Sequence, residues 1–107
     1  VYDRHIHMID LARIAGFDWD DGNARKSEDK HGVTQAEAEQ VFMNEPLLVQ
    51  DDLAHGRDVP RWQALGKAHT GRRLHVSFTL RDVGRLVRVI SARDMNRKER
   101  PFYEQEA

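Results

Sequence analysis

Cysteine is absent from the 107 residues, which excludes disulfides and thiolate metal sites and leaves no indication of redox compartment. No apolar run approaches the roughly 20 residues that a membrane-spanning helix requires, and no signal-peptide core stands near the start. A cytoplasmic chain is expected. Several familiar chemistries are missing as well: there is no glycine-rich phosphate loop, no His-Glu-x-x-His pair and no cysteine nucleophile, and the carboxylates do not cluster at metal-nuclease spacing. Nor is there an internal repeat, a low-complexity tract or an interdomain linker. With 39% hydrophobic and 33% charged residues, what remains fits one small domain with a modest core.

The formal net charge of −1 hides a dipolar chain. Residues 1–56 hold 5 Lys and Arg against 12 Asp and Glu, whereas residues 57–107 hold 12 against 6. The basic half can supply the electrostatic footprint that phosphate binding needs, and the acidic half opposes sequence-blind adhesion to nucleic acid. A solvated charged surface accounts for the asymmetry equally simply, so specific residues must carry the argument.

Residues 1–16 read as an N-terminal extension, a leader or a non-native remnant, with Met8 a candidate start and His5 and His7 a weak metal signal. Leu11, Ile14 and Ala15 have helical spacing. The domain proper spans 17–107. Phe17-Asp18-Trp19-Asp20 alternates apolar and acidic residues, as a short edge strand with Phe17 and Trp19 turned inward would. After Asp21-Gly22, residues 23–31 read as a polar helix closed by Gly32, with Asn23, Lys26, Ser27 and Lys30 on one face. Thr34 and Glu37 form a capping box for a second helix, Val33 and Ala38 a hydrophobic staple, and Pro46 its stop. Strands are expected at 47–50 and 61–67, joined by a polar loop through His55, Gly56 and Pro60.

The clearest alternation lies in 73–80. Leu74, Val76, Phe78 and Leu80 mark one face of a strand, and Arg73, His75, Ser77 and Thr79 mark the other, which is left for solvent or ligand. Asp82-Val83-Gly84 turns the chain into Leu86–Ser91. If Leu80 faces Arg85, Ser77 faces Arg88 and His75 faces Ile90, with Val76 and Phe78 against Val89 and Val87. That register places Arg88 on the open face. An arginine beside a sheet interior requires a partner or a wet cleft. A last helix is expected after Arg93, with Asp94 as its N-cap, Arg97 and Arg100 on its surface and Pro101 breaking or kinking it.

Phe17-Asp18-Trp19-Asp20, Asn23, Lys30-His31-Gly32-Val33, Glu37-Ala38 with Val41-Phe42, Arg61 before Gly66, Phe78-Thr79, Arg88 to Arg93, and Arg97 with Glu99 and Tyr103 together resemble the BrnT family of ribonuclease toxins from bacterial BrnT/BrnA type II toxin-antitoxin modules. The resemblance spans Phe17–Tyr103; the N-terminal extension and Pro101 depart from it. It implies an α+β, RelE-like fold with two N-terminal helices, an antiparallel sheet of about four or five strands and a closing helix. It also implies RNA cleavage without metal or cofactor, growth arrest, neutralisation by a BrnA-like antitoxin, and contact with operator DNA only through the antitoxin complex.

Metal-free RNA cleavage needs the ribose 2′-hydroxyl in line with the adjacent phosphate, a base, an acid, and cations for charge on the phosphoryl oxygens. Arginine suits the electrostatics and not the proton transfers. Arg61, Arg88 and Arg93 are therefore assigned to phosphate and transition-state stabilisation. Lys30, His31 and His75 are the candidates for proton transfer, with the Lys30-His31 pair preferred because it lies in the family motif. Trp19, His75, Ser77, Arg97 and Arg100 are expected to bind RNA. Two non-enzymatic readings stand beside this one: an inactive family member whose arginines anchor an acidic protein partner, or a module that binds RNA without cutting it.

Overall fold

A computed structural model of the chain describes residues 11–52 and 59–106. His5, His7 and Met8, and the loop through His55 and Gly56, lie outside the described residues. After one 3₁₀ turn at Leu11–Arg13 the elements run β1 (Gly16–Phe17), α1 (Lys26–His31), α2 (Gln35–Val41), β2 (Leu48–Asp51), β3 (Trp62–Lys67), β4 (Arg73–Arg81), β5 (Leu86–Asp94) and α3 (Glu99–Glu106). The sheet order is β1-β5-β4-β3-β2. This is the expected α+β class. The sheet is mixed rather than antiparallel, because β1 pairs with β5 in parallel. The edge strand expected through Trp19 is only two residues long.

One face of the sheet carries the main core. Trp62 and Ala64 of β3, Leu74, Val76 and Phe78 of β4, and Val87, Val89 and Ala92 of β5 pack with Val33, Ala38 and Val41 around α2. The capping box forms as the sequence predicts: the Thr34 side chain accepts from the Glu37 N–H, and the Glu37 carboxylate accepts from the Thr34 N–H. Phe42 meets Phe78 edge to face at 5.1 Å and Phe17 at 5.7 Å, a geometry that adds to area burial. Gly66 is required here, since a Cβ at that position would lie 2.7 Å from Val41 Cγ1. Leu11 and Ile14 also pack against this cluster. The opposite face buries a smaller set, Leu48, Leu65, Met95 and Tyr103, beneath α3.

The β4–β5 hairpin turns one residue later than expected, through a connection of the same length. Arg81 pairs with Leu86, leaving four residues in the turn, so Leu80 faces Val87 and Phe78 faces Val89. Between Phe78 and Arg81 a shift of two keeps each side chain on its expected face, because the strand period is two. A bulge between Ser77 and Phe78 then moves the register again, placing Ser77 opposite Ser91 and His75 opposite Arg93; Arg88 faces Thr79 instead of Ser77.

Other expectations about element ends are corrected. The first helix starts at Lys26, and Asn23 lies in the preceding turn. Its C-terminal Gly32 adopts φ 67°, the left-handed conformation that favours glycine. The second helix ends at Val41, ahead of Pro46. Asp94 closes β5 rather than capping a helix. The start of α3 is capped by Asn96, whose Oδ1 accepts the N–H groups of Lys98 and Glu99. Pro101 neither breaks nor kinks α3. It is the third residue of the helix, in the first turn, where a missing N–H removes no intrahelical bond.

Candidate active site

The sheet face that bears α3 is only half covered by it. Beyond Leu65 and Met95 the same face opens into a cleft of about 350 Å³. Helix α1 supplies Lys26, Ser27, Lys30 and His31; β5 supplies Ile90, Ser91 and Arg93; Gln63 and Ser77 come from β3 and β4; Asp52 and Arg61 come from the segments leading out of β2 and into β3. Two lysines, two arginines and a histidine therefore face one lining carboxylate.

Local structure explains why α1 reaches this cleft. Only Leu86 and Val87 of β5 pair with β1, so the rest of that strand's outer edge needs other partners. Asn23 Nδ2 donates to the Val89 carbonyl at 2.9 Å and Ser27 Oγ accepts from the Ala92 N–H at 2.7 Å. Both side chains are buried. They bind the turn and helix α1 along the β5 edge, and Lys26, Lys30 and His31 project over the open face.

Arg72 fixes the far end of that helix. Its Nη1 donates to the Gly32 carbonyl at 2.9 Å and to both Glu37 oxygens at 3.2 Å, its Nη2 reaches the His31 carbonyl at 3.4 Å, and its Nε donates to Asp94 Oδ1 at 2.8 Å. One guanidinium thus joins α1, the α2 cap and the end of β5. The Arg72 hydrogen bond is the largest influence on the Asp94 carboxyl and holds it below the ordinary carboxylate range. Burial pushes Glu37 up, but bonds from Thr34 and Arg72 outweigh it and leave its pKa lowered.

The structure brings together Lys30, His31, Arg61, Arg93 and Ser77 of the residues singled out in the sequence. The others lie elsewhere. Arg88 makes a two-pronged ion pair with Asp20, 3.0 Å on each arm, with Asp18 at 3.5 Å; this pairing raises its pKa and directs it to the sheet margin. His75 is buried, its Nε2 3.4 Å from Gln63 Oε1, and does not line the cleft. Burial, reinforced by the nearby Arg93 charge, lowers its pKa, so its neutral form prevails. Trp19 packs against the main core and donates its Nε1–H to Glu39 at 2.7 Å. Arg97, just ahead of α3, and Arg100, in its first turn, are exposed and do not line the cleft.

Lys26, Gln63, Ser91 and Asp52 line the cleft without having been picked out as site residues. Lys26 was legible, being one turn before Lys30 on the same helix face. Gln63 was also legible, from its alternation with Arg61. No sequence signal marked Asp52. Among the described residues no group of three or more His, Asp or Glu is placed to hold a metal ion.

A family model described as ribonuclease toxin, BrnT, of type II toxin-antitoxin systems matches residues 19–99. The chain belongs to this family. The matched segment runs from Trp19 through β2, β3, β4 and β5 to Glu99, so the BrnT match contains every residue lining the cleft. No curated protein matches the chain. As a BrnT-family chain it is a ribonuclease toxin by family, with RNA as the substrate and an antitoxin as the implied partner. Among the described residues no helix is long and apolar enough to cross a membrane.

Proposed function

We propose that this chain is a metal-independent endoribonuclease of RelE-like type that acts in the bacterial cytoplasm, arrests growth by cutting RNA, and is neutralised by a BrnA-like antitoxin through which the complex contacts operator DNA. The observation that carries the chemistry is the convergence of Lys30, His31, Arg61 and Arg93, from three parts of the chain, on one cleft. Arg61 and Arg93 take the phosphoryl oxygens, because a guanidinium stays charged and its fork matches two oxygens. The 2′-hydroxyl attacks phosphorus and the 5′-oxygen leaves. His31 and Lys30 exchange the two protons that these oxygens lose and gain, side by side at the end of α1. Buried His75 is dropped as a proton-transfer group. Arg88 acts indirectly, holding the Asp18–Asp20 segment against the margin of the sheet.

The test is purified protein with a defined single-stranded RNA in EDTA. Cleavage is expected to persist, to leave 2′,3′-cyclic phosphate ends, and to fall by about 10²–10³-fold in Arg93→Ala. RNA that is bound but left intact would overturn the enzymatic reading in favour of a binding module. Loss of cleavage in EDTA would overturn the metal-independent one.

A further inference from the structure

We infer that Glu99 is a positioning residue for the cleft: it holds the Arg93 guanidinium in a fixed plane, so that α3 completes a site to which, among the described residues, it contributes no lining side chain. The inference rests on the ribonuclease reading above, in which Arg93 meets phosphate.

The two carboxylate oxygens of Glu99 take one edge of Arg93, Nη1 to Oε1 at 2.9 Å and Nη2 to Oε2 at 3.0 Å, while Nη1 also donates to the Asp94 carbonyl at 3.0 Å. The carboxylate is itself anchored. Oε1 accepts the Asn96 N–H at 3.0 Å, and Asn96 Oδ1 accepts the Glu99 N–H at 2.8 Å, a reciprocal cap at the start of α3. The helix is held down in turn by Tyr103, fully buried, whose hydroxyl donates to the Pro46 carbonyl at 2.6 Å. Glu99 is 15% exposed, unlike a surface ion pair that solvent screens and side-chain entropy cancels. Burial pushes its carboxyl up, yet the Arg93 and Asn96 hydrogen bonds and the neighbouring Arg93 charge leave it lowered, and ionised at neutral pH.

A guanidinium has five donors in a fixed fork, so it can hold a carboxylate along one edge and present another to a phosphate. Pairing it with Glu99 has two consequences of opposite sign. The negative partner weakens attraction for RNA in the ground state, and the fixed plane avoids reorganisation when charge builds on the phosphoryl oxygens. A helix cap without a positioning role predicts neither effect.

Glu99→Gln keeps shape and removes charge. In the full chain it is expected to lower kcat about 10–100-fold while leaving KM unchanged or lower, and to steepen the salt dependence of RNA binding by about one phosphate contact. Asn96→Ala removes the Asn96 Oδ1 half of the cap and leaves both the ion pair and the backbone N–H bond to Glu99; it is expected to lower the melting temperature with kcat within about twofold of the parent. ¹⁵N relaxation at Arg93 Nε, which needs no RNA, is expected to report a rigid side chain in the parent and a mobile one in Glu99→Gln. A wild-type kcat in Glu99→Gln, an equal kcat loss in Asn96→Ala, or an Arg93 signal insensitive to Glu99→Gln each overturns the inference. Failure of the parent to cut RNA overturns the ribonuclease reading beneath it and is recognised separately.

Discussion

The two faces of the sheet are built from the same strands and are used in opposite ways. On one, Val76, Phe78, Val87 and Val89 lie against α2 in a continuous apolar layer, where shape decides everything. On the other, a short apolar patch under α3 gives way within two residues to Arg93, Gln63 and Ser77. The first face can lose no volume without losing stability. The second holds charges at positions where apolar residues would stabilise more, which is the pattern of a site maintained for chemistry. Substitutions should therefore separate the two faces by what they damage.

The largest separation is expected between Arg61→Ala and Phe78→Ala. The first should cut RNA cleavage by about 10²-fold, with little change in folding stability. The second should cost about 3–5 kcal/mol of stability through the cavity left in the core, measured by urea denaturation, with the residual folded fraction still active. An Arg61→Ala protein that unfolds while keeping its activity would erase the distinction. Next in size is Arg72→Ala, which strips partners from Glu37, Asp94 and the carbonyls that end α1 and should cost about 2 kcal/mol. Because Arg72 holds the helix that carries Lys30 and His31, it should also reduce cleavage, linking the two faces.

A smaller effect should appear on titration. His75 has its pKa lowered below the ordinary 6.5 by burial first and by Arg93 second. The unfolded chain therefore binds its proton more readily than the folded one, so the stabilising contribution is complete above about pH 6.5 and is lost as pH falls through the depressed folded value. His75→Gln should flatten that part of the stability profile. The lowered carboxyls of Glu37, Asp94 and Glu99 act in a more acidic window, below their ordinary values of 3.8 to 4.5, and their slope should survive the substitution. The smallest expected change is a gain. Val83 is exposed at the hairpin tip with φ 54°, a conformation that strains a β-branched residue. Val83→Gly should stabilise the chain by about 1 kcal/mol and leave cleavage alone.

Features that depend on neighbours in sequence were legible without coordinates. The Thr34–Glu37 capping box, the Gly32 terminus and the alternation of β4 each rest on residues a few positions apart, and each lies where the pattern placed it. The pairing of faces was also legible from Phe78 to Arg81, where a register shift of two residues leaves it unchanged, but not beyond the bulge, where the shift is three. Long-range choices were not. Nothing local says that Arg88 finds Asp20, 68 positions away, or that β1 runs parallel to β5. The effect of Pro101 turned on where α3 starts, which Asn96 decides, and a sequence pattern with Asp94 nearby favoured the wrong cap. In the cleft the family motif led to Lys30 and His31, and alternation led to Ser77. Asp52 has neither kind of signal.

The arrangement along β5 also bears on how the protein avoids its own copies. Beyond its two residues of pairing with β1, that strand would present open N–H and C=O groups, a template on which a second chain could add a strand. Asn23 and Ser27 occupy two of those groups with side-chain atoms, and a side chain cannot propagate a ladder to the next molecule. The turn that delivers the cleft's lysines thus also closes this side of the sheet to fibre-like growth, so a change at Asn23 made to probe activity should be checked for aggregation as well.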